Sequence, residues 1–192
     1  MYIIIIGSSY CLMKINKSLI SYLKTCKICG GKNLKKIMAL NEQYLSNNFV
    51  KSNKNNNLNK LKTKLTIVMC ETKKKSKLCG HVQLREMINQ DLLYRKYFYH
   101  SNTVNSMKDS LKNVVRSVLS IVKIHKDMVV LDIGSNDNTL LNFYPKKITC
   151  YGFEPARNIK KIKSNRKITT IKNYFNSEEY IKLIKKKPKI IT

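Results

Sequence analysis

Apolar residues recur at Val104, Met107, Leu111, Val114, Val118 and Ile121, and these intervals of three and four predict an amphipathic helix over residues 103–124. After the Lys126-Asp127 turn the pattern changes. Apolar runs at 128–133, 148–153 and 168–172 predict buried strands, alternating with helical segments near 138–143, 156–164 and 177–186. Pro145 and Pro155 punctuate the connections, and Ser177 followed by two glutamates suits a helix N-terminus. Strands alternating with helices predict a parallel sheet with helices packed on its faces. A fourth strand begins at Pro188-Lys-Ile-Ile, where the sequence stops. Doubly wound sheets run to about five or more strands, so the pattern predicts an α/β domain truncated after its first half.

The amino-terminal half reads differently. A cysteine-bearing module spans 26–84, interrupted by a polar Asn/Lys tract over 51–64 that reads as a loop or insertion. Residues 86–101 are rich in aromatic side chains, among them Tyr94, Tyr97, Phe98 and Tyr99. The division expected is a lead-in over 1–25, a metal-binding module over 26–101, and a partial α/β domain over 102–192. Met13 could serve as the start, which would make residues 1–12 a spurious extension.

Composition changes the picture less than it first promises. A hydrophobic fraction of 43% in 192 residues supports a real core. The net charge of +27 suggests a nucleic-acid partner, but the basic residues are 33 Lys against 5 Arg, beside 21 Asn and 22 Ile. Lys, Asn and Ile share adenine- and thymine-rich codons, whereas phosphate and base recognition favours Arg. The charge therefore reads as a solvated lysine surface, and nucleic acid is not the favoured partner. No apolar run approaches the roughly 20 residues of a membrane span, and the short run at 2–6 lacks a preceding basic residue. The expected location is the cytoplasm, where thiols stay reduced.

Two constellations carry chemistry. Cys26-Lys-Ile-Cys29-Gly-Gly is a metal knuckle, and Cys70 with Cys79-Gly-His supplies a looser second pair. Four thiolates make a closed, structural zinc site. His81 could replace one thiolate, but four cysteines are preferred, leaving Cys11 and Cys150 outside. The second constellation is residues 129–141, where a buried-type strand ends at Asp132 and turns at Gly134 into an apolar helix start. Glu154 ends the next strand in Gly152-Phe-Glu-Pro, where an acid can accept the hydroxyl hydrogens of an adenosine ribose.

The order Cys-x-x-Cys, Cys…Cys-Gly-His-Val-Gln-Leu, Tyr-x-Tyr-x-Ser, Asp-Ile-Gly-Ser-Asn-Asp-x-Thr-Leu-Leu and Gly-Phe-Glu-Pro-Ala resembles the zinc-containing sugar C-methyltransferases. The resemblance runs from Cys26 to Thr192 and covers roughly the first half of such a protein. It implies a small zinc module with four cysteine ligands, followed by the first half of a Rossmann-like S-adenosylmethionine (SAM) domain. Zinc would fall on Cys26, Cys29, Cys70 and Cys79. The cofactor would fall on Asp132, Gly134, Ser135, Asn136, Asp137 and Glu154, with Asn173 and Tyr174 near the adenine. Tyr97, Tyr99 and Ser101 would approach the active site. The implied activity is methyl transfer to carbon on a nucleotide-linked keto-deoxysugar.

Two departures stand out. Asn138 replaces the family's Gly, and the Asn-Val-x-Ala-His segment expected after the fourth strand is absent. None of His81, His100 and His125 matches the expected base. The sequence thus predicts an inactive amino-terminal portion, completed in activity by a separately encoded carboxy-terminal half. The alternatives are a zinc-ribbon nucleic-acid-binding protein and a cofactor-binding regulatory remnant.

Overall fold

The computed structural model describes residues 19–47, 49, 61–74, 77–164 and 166–192. The proposed extension at 1–12, Cys11 and most of the polar tract lie outside them. Two compact units form: residues 19–42 with 63–89, and residues 43–62 with 90–192.

The first unit is built from β-strands. β1 (Ile20–Tyr22) pairs with β7 (Glu86–Ile88), and β2 (Leu34–Tyr44), β3 (Lys62–Cys70) and β6 (Val82–Leu84) form a sheet in the order β2-β3-β6. Along β3 alternate residues Thr66, Val68 and Cys70 are buried, as a half-buried strand requires. A buried carboxylate braces this unit: Glu86 accepts the Thr66 backbone N–H at 2.7 Å. Burial alone would raise its pKa, but the Thr66 hydrogen bonds and the Arg85 charge hold it below the ordinary value.

The second unit is a parallel sheet. β8 (Val129–Ile133), β9 (Thr149–Phe153), β10 (Ile168–Ile171) and β11 (Ile190–Ile191) lie in the order β10-β9-β8-β11, every pair parallel. Their side chains divide between two faces. Val130, Cys150 and Ile190 pack with Val115 of α2 (Asn105–Ile121), while Leu131 and Phe153 pack with Tyr180 and Ile184 of α4 (Ser177–Ile184). One helix thus covers each face, the arrangement that near-continuous apolar strands demand.

Two expectations are corrected in detail and a third is refined. The sequence stripe on α2 included Val114 and Ile121, yet these are 44% and 84% exposed; Val118 packs inward as expected, but beside Val115, Leu119 and Val122. The helix expected over 156–164 does not form. Its backbone amides are used elsewhere: Arg157 N–H donates to the Arg95 carbonyl and Ile162 N–H to the Asp137 carbonyl. Helix α4 begins as expected, but its N-cap is Asn176, whose side chain accepts the Glu178 and Glu179 amides at 2.8 and 3.1 Å.

Candidate functional site

The four cysteines converge. The Sγ atoms of Cys26, Cys29, Cys70 and Cys79 all lie within 4.8 Å of one another, with Cys26–Cys79 at 3.9 Å and Cys29–Cys70 at 3.5 Å. A tetrahedron with Zn–S bonds near 2.3 Å has edges of about 3.8 Å. The donor set therefore fits a closed four-thiolate zinc site, with His81 outside the group.

Local geometry explains how two unequal spacings make equivalent knuckles. At the first, Gly30 N–H returns to the Cys26 carbonyl at 2.9 Å with φ +71°, and Gly31 N–H donates to Cys29 Sγ at 3.3 Å. At the second, the extra residues between Cys70 and Cys79 hold a tight β-ladder, β4 (Lys73–Lys74) against β5 (Lys77–Leu78). That ladder brings Cys79 N–H to the Thr72 carbonyl at 3.0 Å, and Gly80 at φ +64° closes on the Cys70 carbonyl at 3.0 Å. The wide spacing is a knuckle with a hairpin inserted.

The four thiols are electrostatically unequal. The Cys29 amide brings the Cys26 thiol down to about 6, and the Thr72 hydroxyl lowers Cys70. The His81 amide favours the Cys79 thiolate too, but burial and the three neighbouring sulfurs outweigh it and push that thiol up to about 11. A divalent ion bound by the four sulfurs would offset the repulsion among their thiolates.

In the second unit, the residues expected to hold a cofactor gather where β8 and β9 end. Gly134 turns at φ +82°, and the Gly134 and Ser135 amides both donate to the Phe153 carbonyl, at 2.8 and 3.0 Å. Glu154 is buried; its Oε2 accepts the Asn136 N–H at 2.8 Å and its Oε1 the Ala156 N–H at 2.7 Å. Asp132, also buried, receives the Thr192 hydroxyl at 3.0 Å; burial raises its pKa, and the Glu154 charge adds to the effect. Asn138 adopts the left-handed conformation, φ +71°, and its side chain bonds Thr170 Oγ1 at 3.0 Å. Asn138 thus takes the turn's left-handed conformation and ties it to β10.

Asn136 and Asp137 are spent largely on the aromatic segment. Asn136 Oδ1 accepts Ser101 N–H at 3.0 Å, its Nδ2 donates to the Tyr99 carbonyl at 3.0 Å, and Asp137 Oδ2 accepts Asn102 N–H at 2.9 Å. Asn158 grips Tyr97 in a reciprocal amide pair of 2.9 and 2.7 Å. Asn173 receives the Tyr174 N–H at 2.9 Å and donates to Glu179 at 3.1 Å. Tyr174 reaches back to α1 (Gln90–Tyr94), donating its hydroxyl to Asp91 at 3.0 Å beneath the Arg95 guanidinium at 4.7 Å. Burial and the Asp91 carboxylate push the Tyr174 hydroxyl up to about 12, so it stays a donor.

Sequence reasoning missed Arg166. Its guanidinium bonds the carbonyls of Leu141, Tyr144 and Ile148 and lies 3.0 Å from Cys150 Sγ, closing the end of α3 (Thr139–Asn142). The available signal was scarcity: an Arg kept among so many Lys marks a need for several planar donors.

The site and fold define a zinc-binding, mixed α/β protein. Residues 26–94 match the family model Methyltransf_13, described as "Putative zinc binding domain". A zinc-binding, methyltransferase-associated domain is therefore present, consistent with the amino-terminal portion of the zinc-containing sugar methyltransferases. The nucleic-acid alternative is not favoured by these findings. No curated protein matches the chain. Among the described residues no helix is long and apolar enough to cross a membrane.

Proposed function

We propose that the second unit is the first part of a Rossmann-like SAM-binding domain, and that the chain serves C-methylation of a nucleotide-linked keto-deoxysugar. The observation that carries the reading is the placement of Gly134 and Glu154 at the carboxyl ends of adjacent parallel strands. The strand order β10-β9-β8-β11 reverses direction at β8, and open α/β sheets take ligands at that switch point, outside the strand ends. Each Glu154 oxygen accepts one backbone amide and can take a second hydrogen bond, which suits two ribose hydroxyls. Ser135 Oγ is buried at the same turn with no hydrogen-bond partner among the described residues.

SAM supplies an electrophilic methyl group on sulfonium when bound. This chain's own residues would orient it: Glu154 at the ribose, the Gly134 turn beside the chain of the amino acid, and Asn173 and Tyr174 toward the adenine. The zinc site holds the first unit together and offers no open position for substrate. Deprotonation beside a keto group needs a positioned base and a stabilised oxyanion. In our reading that base comes from a partner polypeptide that carries a carboxy-terminal methyltransferase half, with the Tyr97, Tyr99 and Ser101 segment near the sugar.

Co-expression of this chain with such a half tests the proposal. Methylation of a keto-deoxysugar nucleotide by the pair, and by neither part alone, is expected. Absence of methylation by a folded, zinc-loaded pair across keto-sugar nucleotides would count against it.

A further inference from the structure

We infer that Asn136 is a positioning residue coupling the cofactor-binding acid Glu154 to residues 97–102. This inference rests on the SAM-binding reading above.

Asn136 makes contacts in both directions. Its backbone N–H is held by Glu154 Oε2 at 2.8 Å, while its side chain holds Ser101 N–H and the Tyr99 carbonyl, each at 3.0 Å. The same Oδ1 also accepts the Asp137 N–H at 2.9 Å, which fixes the side chain against its own turn. Both ends of the amide are needed, one as acceptor and one as donor, so neither Asp nor Ala reproduces it. The backbone sits at φ +50°, a region that glycine occupies with least strain. Glycine would serve the turn but would release the segment. Asn is the side chain that tolerates this backbone and still spans the gap.

The consequence is a shared equilibrium. Ribose hydroxyls bonding to Glu154 engage the same carboxylate that fixes Asn136. Any ligand that orders this carboxylate orders Asn136, and with it the Tyr99–Ser101 backbone. By linkage, ordering of the aromatic segment must strengthen cofactor binding by the same factor. Asp137 reinforces the tie through Asn102, but its other oxygen receives the Thr139 amide at 3.1 Å, so its removal would also disturb the start of α3. Asn136 is therefore the cleaner probe.

The test is amide hydrogen exchange of the full zinc-loaded chain, with and without S-adenosylhomocysteine, alongside calorimetric titration. In the wild type the ligand should slow exchange at Ser101 and Asn102. Asn136→Ala should weaken ligand binding about 10-fold and abolish the ligand-induced protection, with unchanged zinc content and circular dichroism. Asn136→Asp, which keeps the acceptor but loses the donor to Tyr99, should fall between. If Asn136→Ala binds the ligand as tightly as wild type and protects Ser101 and Asn102 equally, the coupling is overturned while SAM binding stands. If the wild type binds no ligand, both fall.

Discussion

Gly152 has no room for a side chain: a Cβ there would lie 2.3 Å from Ser135 Oγ, inside the turn that β8 makes toward the proposed cofactor. Gly152→Ala should therefore lower stability by about 1–3 kcal/mol, seen as a lower thermal midpoint. Asp132 carries the opposite kind of cost. Its pKa is raised by burial, so the folded state binds its proton more tightly than the unfolded chain does. The sign follows: its contribution to stability is greatest at low pH, and it falls as pH climbs from about 4 through the raised value. Asp132→Asn should remove that decline and stabilise the protein at neutral pH, measured by urea unfolding across a pH series. Arg166→Ala should cost about 2 kcal/mol or more, since the carbonyls of Tyr144 and Ile148 lose their guanidinium donor. These residues were unequally legible. Gly134 and Glu154 announced themselves by standing at strand ends, whereas Arg166 serves carbonyls far from it in sequence, which no local pattern encodes.

Among the elements, the four strands of the parallel sheet were legible because apolar runs flanked by turn residues have one sensible placement. Helix faces were not. Around α2 a stripe through Val114, Val118 and Ile121 and one through Val115, Val118 and Val122 differ by a small rotation, and only the sheet it meets decides between them. The expected helix at 156–164 was lost because its amides bond to Arg95 and Asp137 instead of to one another. The hairpin between Cys70 and Cys79 shows how a loose spacing can conceal a regular knuckle. Each knuckle supplies half the coordination, so Cys29→Ala or Cys79→Ala should each abolish stoichiometric zinc, measured by elemental analysis of the purified protein. Retention of one zinc per chain by either variant would show that the four sulfurs are not the ligand set.

At the scale of the whole molecule, a net charge of +27 drew attention to nucleic acid, yet the organised chemistry lies in four sulfurs and a turn lined by Asp132 and Glu154. Zinc holds the first unit by contacts the unfolded chain cannot make, so chelation should expose β3 and the knuckles to exchange. In the second unit the turn after β8 also holds the Tyr99–Asn102 backbone, so in the proposed reading the cofactor and substrate segments form one assembly. The claim that this turn binds SAM is tested most directly by calorimetric titration of the zinc-loaded chain with S-adenosylhomocysteine, beside the Glu154→Gln variant. The account predicts saturable one-to-one binding, weakened about 10-fold or more in the variant, as the loss of charge-assisted hydrogen bonds requires. Absence of binding to the folded wild type, or equal binding to both proteins, would contradict it.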